Sequence, residues 1–302
     1  MALSHFDFTE IIPSNELVQN AMNQARSRWV SKCFDREKYS RLECRLNELA
    51  ASPIGRFILV NGGVNGFWTN FLTRIGCESI RNKIEPRKFD NKVEEYLIEW
   101  FAKIRGEQEF LLRNIIGPLL KPGFAVASIP SGLMSEVLLA ANHFENVKLY
   151  AIDIDKTNFD LIRKMYGDRL KGNDFHSLEL DVLNLDFECT FDLITCLGFV
   201  MYLNEELFPN FLSRIYRALK PGGRVLLSFY PDPSEQSQRF TFNACRLVIA
   251  GEIFMCTEER SLTRIPTTSL IRYFSKAGFM NIIIHGGTYY HFPFIDAIKL
   301  ET

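Results

Sequence analysis

The stretch FDLITCLGFVMYLNEELFPNFLSRIYRALKPGGRVLLSFY, residues 191–230, carries two apolar runs of strand length around an amphipathic segment and a proline-glycine turn. Short apolar runs bounded by turn signals read as buried strands, and apolar spacings of three and four read as a helix. The spacing predicts a strand over 191–198, a helix over ELFPNFLSRIYRALK, a turn at LKPGG and a strand over 223–230. Such a strand, crossover helix and strand belong to a parallel sheet.

The same alternation extends in both directions. Strands are expected at FAVASI (124–129), VKLYAID (147–153), FHSLELD (175–181), NIIIHGG (281–287) and near FIDAIKL (294–300). Helices fit between them at SEVLLAANH, KTNFDLIRKMYG and PTTSLIRYFSKAG, the last with Thr267 or Thr268 as N-cap and Gly278 as its stop. The connection at about 231–266 is too long for an ordinary loop and reads as an insertion, of the kind that often covers an active site. Residues 1–118 show no strand alternation and place apolar residues at helical spacing, broken by the glycine-rich turn VNGGVNG from Val60 to Gly66. The expected architecture is a doubly wound, mostly parallel seven-stranded sheet of the α/β class over 119–302, with an all-helical N-terminal extension over 1–118.

Lysines and arginines nearly balance aspartates and glutamates, for a formal net charge of -1. No strong attraction to nucleic acid is built into such a chain. The seven cysteines are dispersed and never form a CxxC pair, and the five histidines show no HxxxH or HxH spacing. A disulfide framework and a metal site are therefore not expected. No apolar run approaches the roughly 18 residues of a membrane span, and the N-terminus lacks the basic flank and apolar run of a signal peptide. A cytoplasmic protein is the expectation.

In an open parallel sheet, ligands bind beyond the carboxyl ends of the strands, where the strand order reverses. Those ends read SIPSG, AIDID, LELDV and CLG. Asp153 follows the first strand by about one β-α-β unit, where a carboxylate can accept from both hydroxyls of a ribose. The competing reading makes Asp153 or Asp155 the cap of the following helix. We assign Asp153 to the ribose and Asp155 to the cap.

With these residues in place, the chain from about Phe124 to Gly223 resembles the S-adenosylmethionine-dependent methyltransferases of the Rossmann-like class. The likeness is most specific over FDLITCLGFVMYLNEELFPNFLSRIYRALKPGGRVLLSFY, and AIDID, LELD and the late KAGF follow in the family's order. It implies S-adenosylmethionine as cofactor and S-adenosylhomocysteine as product. The family pattern D-x-G-x-G-x-G falls on Ser128-Ile129-Pro130-Ser131-Gly132-Leu133-Met134, so Gly132 alone is kept. The resemblance further implies that Asp153 meets the ribose with Ile154 beside it. It gives Asp181 and Val182 to the adenine, and Leu197 and Gly198 to the methionine part. Ser128, Pro130 and Met134 depart from the pattern, and Ser128, Ile129 and Pro130 complete the expected loop contacts.

A pyrophosphate needs several open backbone amides, whereas Pro130 offers none and Met134 adds bulk. NAD is disfavoured, and a zwitterion suits the loop better. Methyl transfer from a sulfonium depends mainly on alignment and desolvation, so a dedicated base is optional. Tyr202 and Tyr230 sit where an acceptor would lie and could orient it, or could be rim aromatics. The N-terminal helices are expected to fold over the cofactor as a lid, with Trp68, Gln108 and Arg113 as candidate contacts; core packing and solvation compete with that role. The 26 phenylalanines and the insertion favour an enclosed apolar pocket, hence a small-molecule or lipid-like acceptor rather than nucleic acid. The alternative function is a non-catalytic binding module that keeps the fold with an eroded loop.

Overall fold

A computed structural model describes residues 13–32, 34–61, 112–141, 143–229, 232, 235, 251–253, 255–257, 263–285 and 293–300. The chain divides into two compact units, 1–105 with 245–261, and 106–244 with 262–302.

In the first unit, α1 (Asn15–Ser31) begins where the Ser14 hydroxyl accepts from Leu17 N, and it buries Val18, Met22, Ala25 and Trp29. The spacing of these four makes one apolar stripe. Helix α2 (Arg36–Ala51) starts at Asp35, whose carboxylate accepts from Lys38 N at 2.7 Å, and it buries Leu42, Leu46 and Leu49. Each such buried leucine contributes about 1.5–3 kcal/mol. Helix α3 (Pro53–Asn61) follows. The helical residues 251–253 and 255–257 join this unit: Trp29 Nε1 donates to the Met255 carbonyl at 2.9 Å, and the guanidinium of Arg45 holds Glu252 at 3.0 Å.

The second unit is a seven-stranded sheet in the order β3-β2-β1-β4-β5-β7-β6. Its strands are β1 (Ala125–Ser128), β2 (Lys148–Asp153), β3 (Asp174–Glu179), β4 (Phe191–Cys196), β5 (Leu219–Ser228), β6 (Phe279–His285) and β7 (Phe294–Lys299). The first five run parallel, and β7 enters antiparallel between β5 and β6. Strand β1 is buried at all four positions, as a central strand covered on both faces must be.

Helices α4 (Ser135–Leu138), α5 (Thr157–Leu170), α6 (Phe208–Ala218) and α7 (Thr267–Lys276) complete the unit. One core cluster joins Val126, Leu149 and Leu193 to Val137 of α4 and Ile162 of α5. Another joins Ala127, Ile194 and Val225 to Phe211 of α6 and Phe274 of α7. Alternate residues of β1 and β4 thus feed different clusters, which is the two-sided burial that made their sequences continuous apolar runs.

Three local expectations change. The helix expected over SEVLLAANH is a single turn ending at Leu138. Val137, Leu138 and Ala140 are all buried, and Arg169 Nη1 caps the Ala141 carbonyl at 2.8 Å, so the apolar residues are satisfied without further helix. LKPGG is not a plain turn: Leu219 already pairs with Phe191, and the ladder resumes at Leu193 and Arg224, leaving Pro221 and Gly222 bulged and exposed. Finally, the N-cap of α7 is Pro266; Thr267 N and Oγ1 donate instead to Glu235, at 2.9 and 2.5 Å.

Candidate functional site

Strand order reverses between β1 and β4, with β2 and β3 on one side and β5, β7 and β6 on the other. The carboxyl ends of these strands meet there. The chain leaves β1 through a cis Ile129-Pro130 bond. Backbone bonds then anchor the loop on both sides: Ile129 N donates to the Thr195 carbonyl of β4, and Ser131 N to the Ile152 carbonyl of β2, each at 2.8 Å.

The loop's next amide is directed by a side chain. Gly132 N donates to Asp153 Oδ2 at 2.8 Å, and Asp155 N donates to Oδ1 at 2.9 Å. Gly132 has φ +45°, a left-handed conformation that glycine adopts freely. Met134 follows at φ +52° as the residue before α4. Asp153 is only 5% exposed, and its carboxyl is raised above the ordinary range chiefly by burial, with the two amides acting in the opposite direction. Beside it Ile154 is 70% exposed, an apolar side chain standing at the sheet edge. Asp155 Oδ1 accepts from Thr157 N and Oγ1, at 3.0 and 2.6 Å, at the start of α5.

Farther along the edge, Asp181 Oδ1 accepts from Leu183 N at 2.9 Å and so caps the three-ten turn Val182–Asn184, in which Val182 is buried. Past β4, Leu197 is partly buried and Gly198 exposed. Gly198 N donates to the hydroxyl of Ser228, the last residue of β5, at 2.6 Å. Tyr202 ends the three-ten turn Val200–Tyr202 and is partly buried. Arg113 is exposed on the π-helical turn Leu112–Ile116. Trp68, Gln108 and Tyr230 lie outside the described residues.

Two residues of this edge carried no role in the sequence reading. Ser228 fixes the Gly198 amide, and Glu136 of α4 turns its carboxylate toward β1 and β4, accepting from Ser128 Oγ and from Thr195 Oγ1. Their signal is the hydroxyl residue at or next to the end of an apolar run, Ser128, Thr195 and Ser228, which buries a hydroxyl where a partner must exist.

The comparisons agree with this geometry. Residues 131–223 match a family model that describes a methyltransferase domain. No curated protein matches the sequence. A crystal structure of a possible exported protein from Bordetella parapertussis is 24% identical, with a TM-score of 0.72 and 99% of each chain covered. A Nostoc punctiforme protein assigned as an O-methyltransferase is 18% identical, with a TM-score of 0.53 over 83% of this chain and 70% of its own. The S-adenosylmethionine-dependent methyltransferase SibL, in its apo form, is 13% identical, with a TM-score of 0.54 over 82% and 74%. Residues 131–223 thus resemble a methyltransferase domain, and the solved structures share the fold of the sheet that carries them.

Proposed function

We propose that this methyltransferase takes S-adenosylmethionine and delivers the methyl group to a small-molecule acceptor of apolar or lipid-like character. The observation that carries the reading is the charge of the strand ends. Among the described residues of the carboxyl edge from β1 to β4, Glu136, Asp153, Asp155, Glu179 and Asp181 stand against Lys156. Such an edge suits a ligand bearing ammonium and sulfonium charges and repels a pyrophosphate. The loop offers a phosphate little: Pro130 has no amide hydrogen, and the Gly132 amide is given to Asp153. The same acidity supports a small acceptor over nucleic acid, which asks for a basic surface.

Asp153 accepts the ribose hydroxyls beside the two amides it already holds, since each carboxylate oxygen has two lone pairs. Ile154 offers the adenine an apolar face. Asp181 uses its second oxygen for the adenine amino group, next to Val182. Gly132, Leu197 and Gly198 flank the methionine part, with Ser128, Ile129 and Pro130 shaping the loop beneath it. When bound, the cofactor supplies an electrophilic methyl on a positively charged sulfur. The protein's part is to align the acceptor and strip it of water, with Tyr202 and Tyr230 orienting it. Among the described residues no helix is long and apolar enough to cross a membrane. The free thiols of Cys44, Cys189, Cys196 and Cys256 support a cytoplasmic location.

One observation favours a second reading, a non-catalytic module: both oxygens of the nearly buried Asp153 already accept backbone amides. Calorimetric titration with S-adenosylmethionine, S-adenosylhomocysteine and NAD, followed by transfer of labelled methyl groups to a metabolite and lipid extract, separates the two. Binding of both adenosyl ligands, none of NAD, and label in a small molecule are expected. Binding without transfer favours the module, and binding of neither adenosyl ligand overturns the methyltransferase reading and leaves the module.

A further inference from the structure

The crevice between β1 and β4 receives a carboxylate that the strand-end pattern does not supply. Glu136 lies in the one turn of α4. Its Oε1 accepts from Oγ of Ser128, the last residue of β1, and from Oγ1 of Thr195 on β4 at 2.9 Å. Ser128 and Thr195 are register partners and are almost completely buried. One oxygen therefore staples the two strands where the sheet changes direction, the place at which ligands bind in open parallel sheets. Burial raises the Glu136 carboxyl, and the two hydroxyls act the other way by favouring the ionised form. Cys196 follows Thr195 on β4, and its thiol is pushed up first by burial and then by the nearby Glu136.

Ser128 stands where the pattern D-x-G-x-G-x-G has its acid. We propose that Glu136 supplies, from the helix, the negative charge that β1 lacks at its end, and that this charge makes the site favour a sulfonium over a thioether. The proposal rests on the S-adenosylmethionine reading above. S-adenosylmethionine carries one more positive charge than S-adenosylhomocysteine, and a partly buried carboxylate held in place by two nearly buried hydroxyls acts on that charge more strongly than one free in water. In the reaction the acceptor's electron pair forms the new bond to the methyl carbon. The sulfur–carbon bond breaks with its electron pair staying on sulfur, and the acceptor's proton passes to solvent. The attraction due to Glu136 is thereby lost in the step that makes product, which eases product release. Glu136 is a positioning residue: it acts through Ser128 and Thr195 and across space, without touching the reacting atoms.

The test compares dissociation constants of the full chain for S-adenosylmethionine and S-adenosylhomocysteine by calorimetry. In Glu136→Gln the affinity for S-adenosylmethionine should fall about tenfold or more and that for S-adenosylhomocysteine much less, lowering their ratio. Ser128→Asp added to Glu136→Gln returns an acid to the strand and should restore the ratio. A merely structural glutamate would weaken both ligands alike and gain nothing from Ser128→Asp; that result, or an unchanged ratio, overturns the proposal. Should Glu136→Gln fail to fold, Thr195→Val, which removes one hydroxyl at nearly constant volume, is expected to lower the ratio by a smaller factor, and an unchanged ratio there overturns the proposal. Wild-type protein that binds neither ligand overturns the methyltransferase reading itself, whereas normal binding with an unaltered ratio overturns only the role of Glu136.

Discussion

The amide of Gly132 donates to Asp153 Oδ2 at 2.8 Å, so the loop after β1 and the end of β2 are joined through the carboxylate proposed to receive the ribose. Structure and binding therefore share one side chain. Asp153→Asn turns one acceptor into a donor facing an amide, either that of Gly132 or that of Asp155. The expected cost is about 1–3 kcal/mol, seen as a melting temperature lower by several degrees. S-adenosylmethionine binding should weaken at least tenfold by calorimetry; wild-type affinity in this variant would remove Asp153 from the ribose site.

A second prediction concerns pH, and two buried acids act in opposite directions. Asp153 has its carboxyl raised, chiefly by burial. An acid raised in the folded state binds its proton more tightly there, so the stability it contributes is present below the unfolded pKa of about 3.9 and lost as pH rises through the folded value. Asp296, 1% exposed on β7, is the reverse. Burial would raise it, but His285 and Arg224 outweigh burial and hold it below the usual carboxylate range. Arg224 approaches with Nε at 2.5 Å and Nη2 at 2.6 Å, and His285 Nε2 at 3.4 Å. Its contribution is present above the unfolded pKa and lost as pH falls through the folded value. Asp296→Asn should cost on the order of 2–4 kcal/mol at neutral pH in urea unfolding. The gap from wild type should close on acidification; a gap that stays constant with pH would show that the pair contributes no ionic stabilisation.

The seven strands were legible because the central ones are buried on both faces and read as unbroken apolar runs; AVAS of β1 and LITC of β4 have no exposed position to interrupt them. Strand direction is not written in such runs, which is why the antiparallel entry of β7 between β5 and β6 had no sequence signal. The length of α4 was hidden for a related reason: SEVLLAA fits a helix locally, and only the burial of Val137, Leu138 and Ala140 together ends it. At the site, Asp153 was visible from its place at a strand end. Glu136 was not, because an acid in the first turn of a helix ordinarily reads as a surface residue favoured by the helix dipole.

Gly223 shows how closely the bulge in β5 is packed. A Cβ there would lie 2.8 Å from the Lys220 carbonyl oxygen and 2.9 Å from that of Phe191. Both are backbone atoms and cannot turn aside. Gly223→Ala should therefore destabilise the protein by about 1–3 kcal/mol, with the bulge and the adjoining β4–β5 ladder opening first. Hydrogen exchange would locate the change at residues 219–226 and their β4 partners; a melting temperature equal to wild type would mean that the bulge relaxes without cost.

The free cysteines among the described residues divide by environment, and their reactivity should divide in the same way. Cys44 and Cys189 are exposed, while Cys196 and Cys256 are buried. Both buried thiols are pushed up far above the ordinary thiol range, first by burial; Glu136 adds to this at Cys196, and the arginines around Cys256 only partly offset it there. The thiolate is the nucleophile, so a buried thiol held neutral reacts slowly even with a small reagent. Brief alkylation of the native protein at pH 8, read by peptide mass spectrometry, should label Cys44 and Cys189 and leave Cys196 and Cys256 more than tenfold less modified. Because Cys196 adjoins the crevice that Glu136 enters, Glu136→Gln should speed its labelling by removing a negative charge that opposes the thiolate. Equal rates in wild type and variant would mean that the glutamate does not act on this end of β4 through its charge.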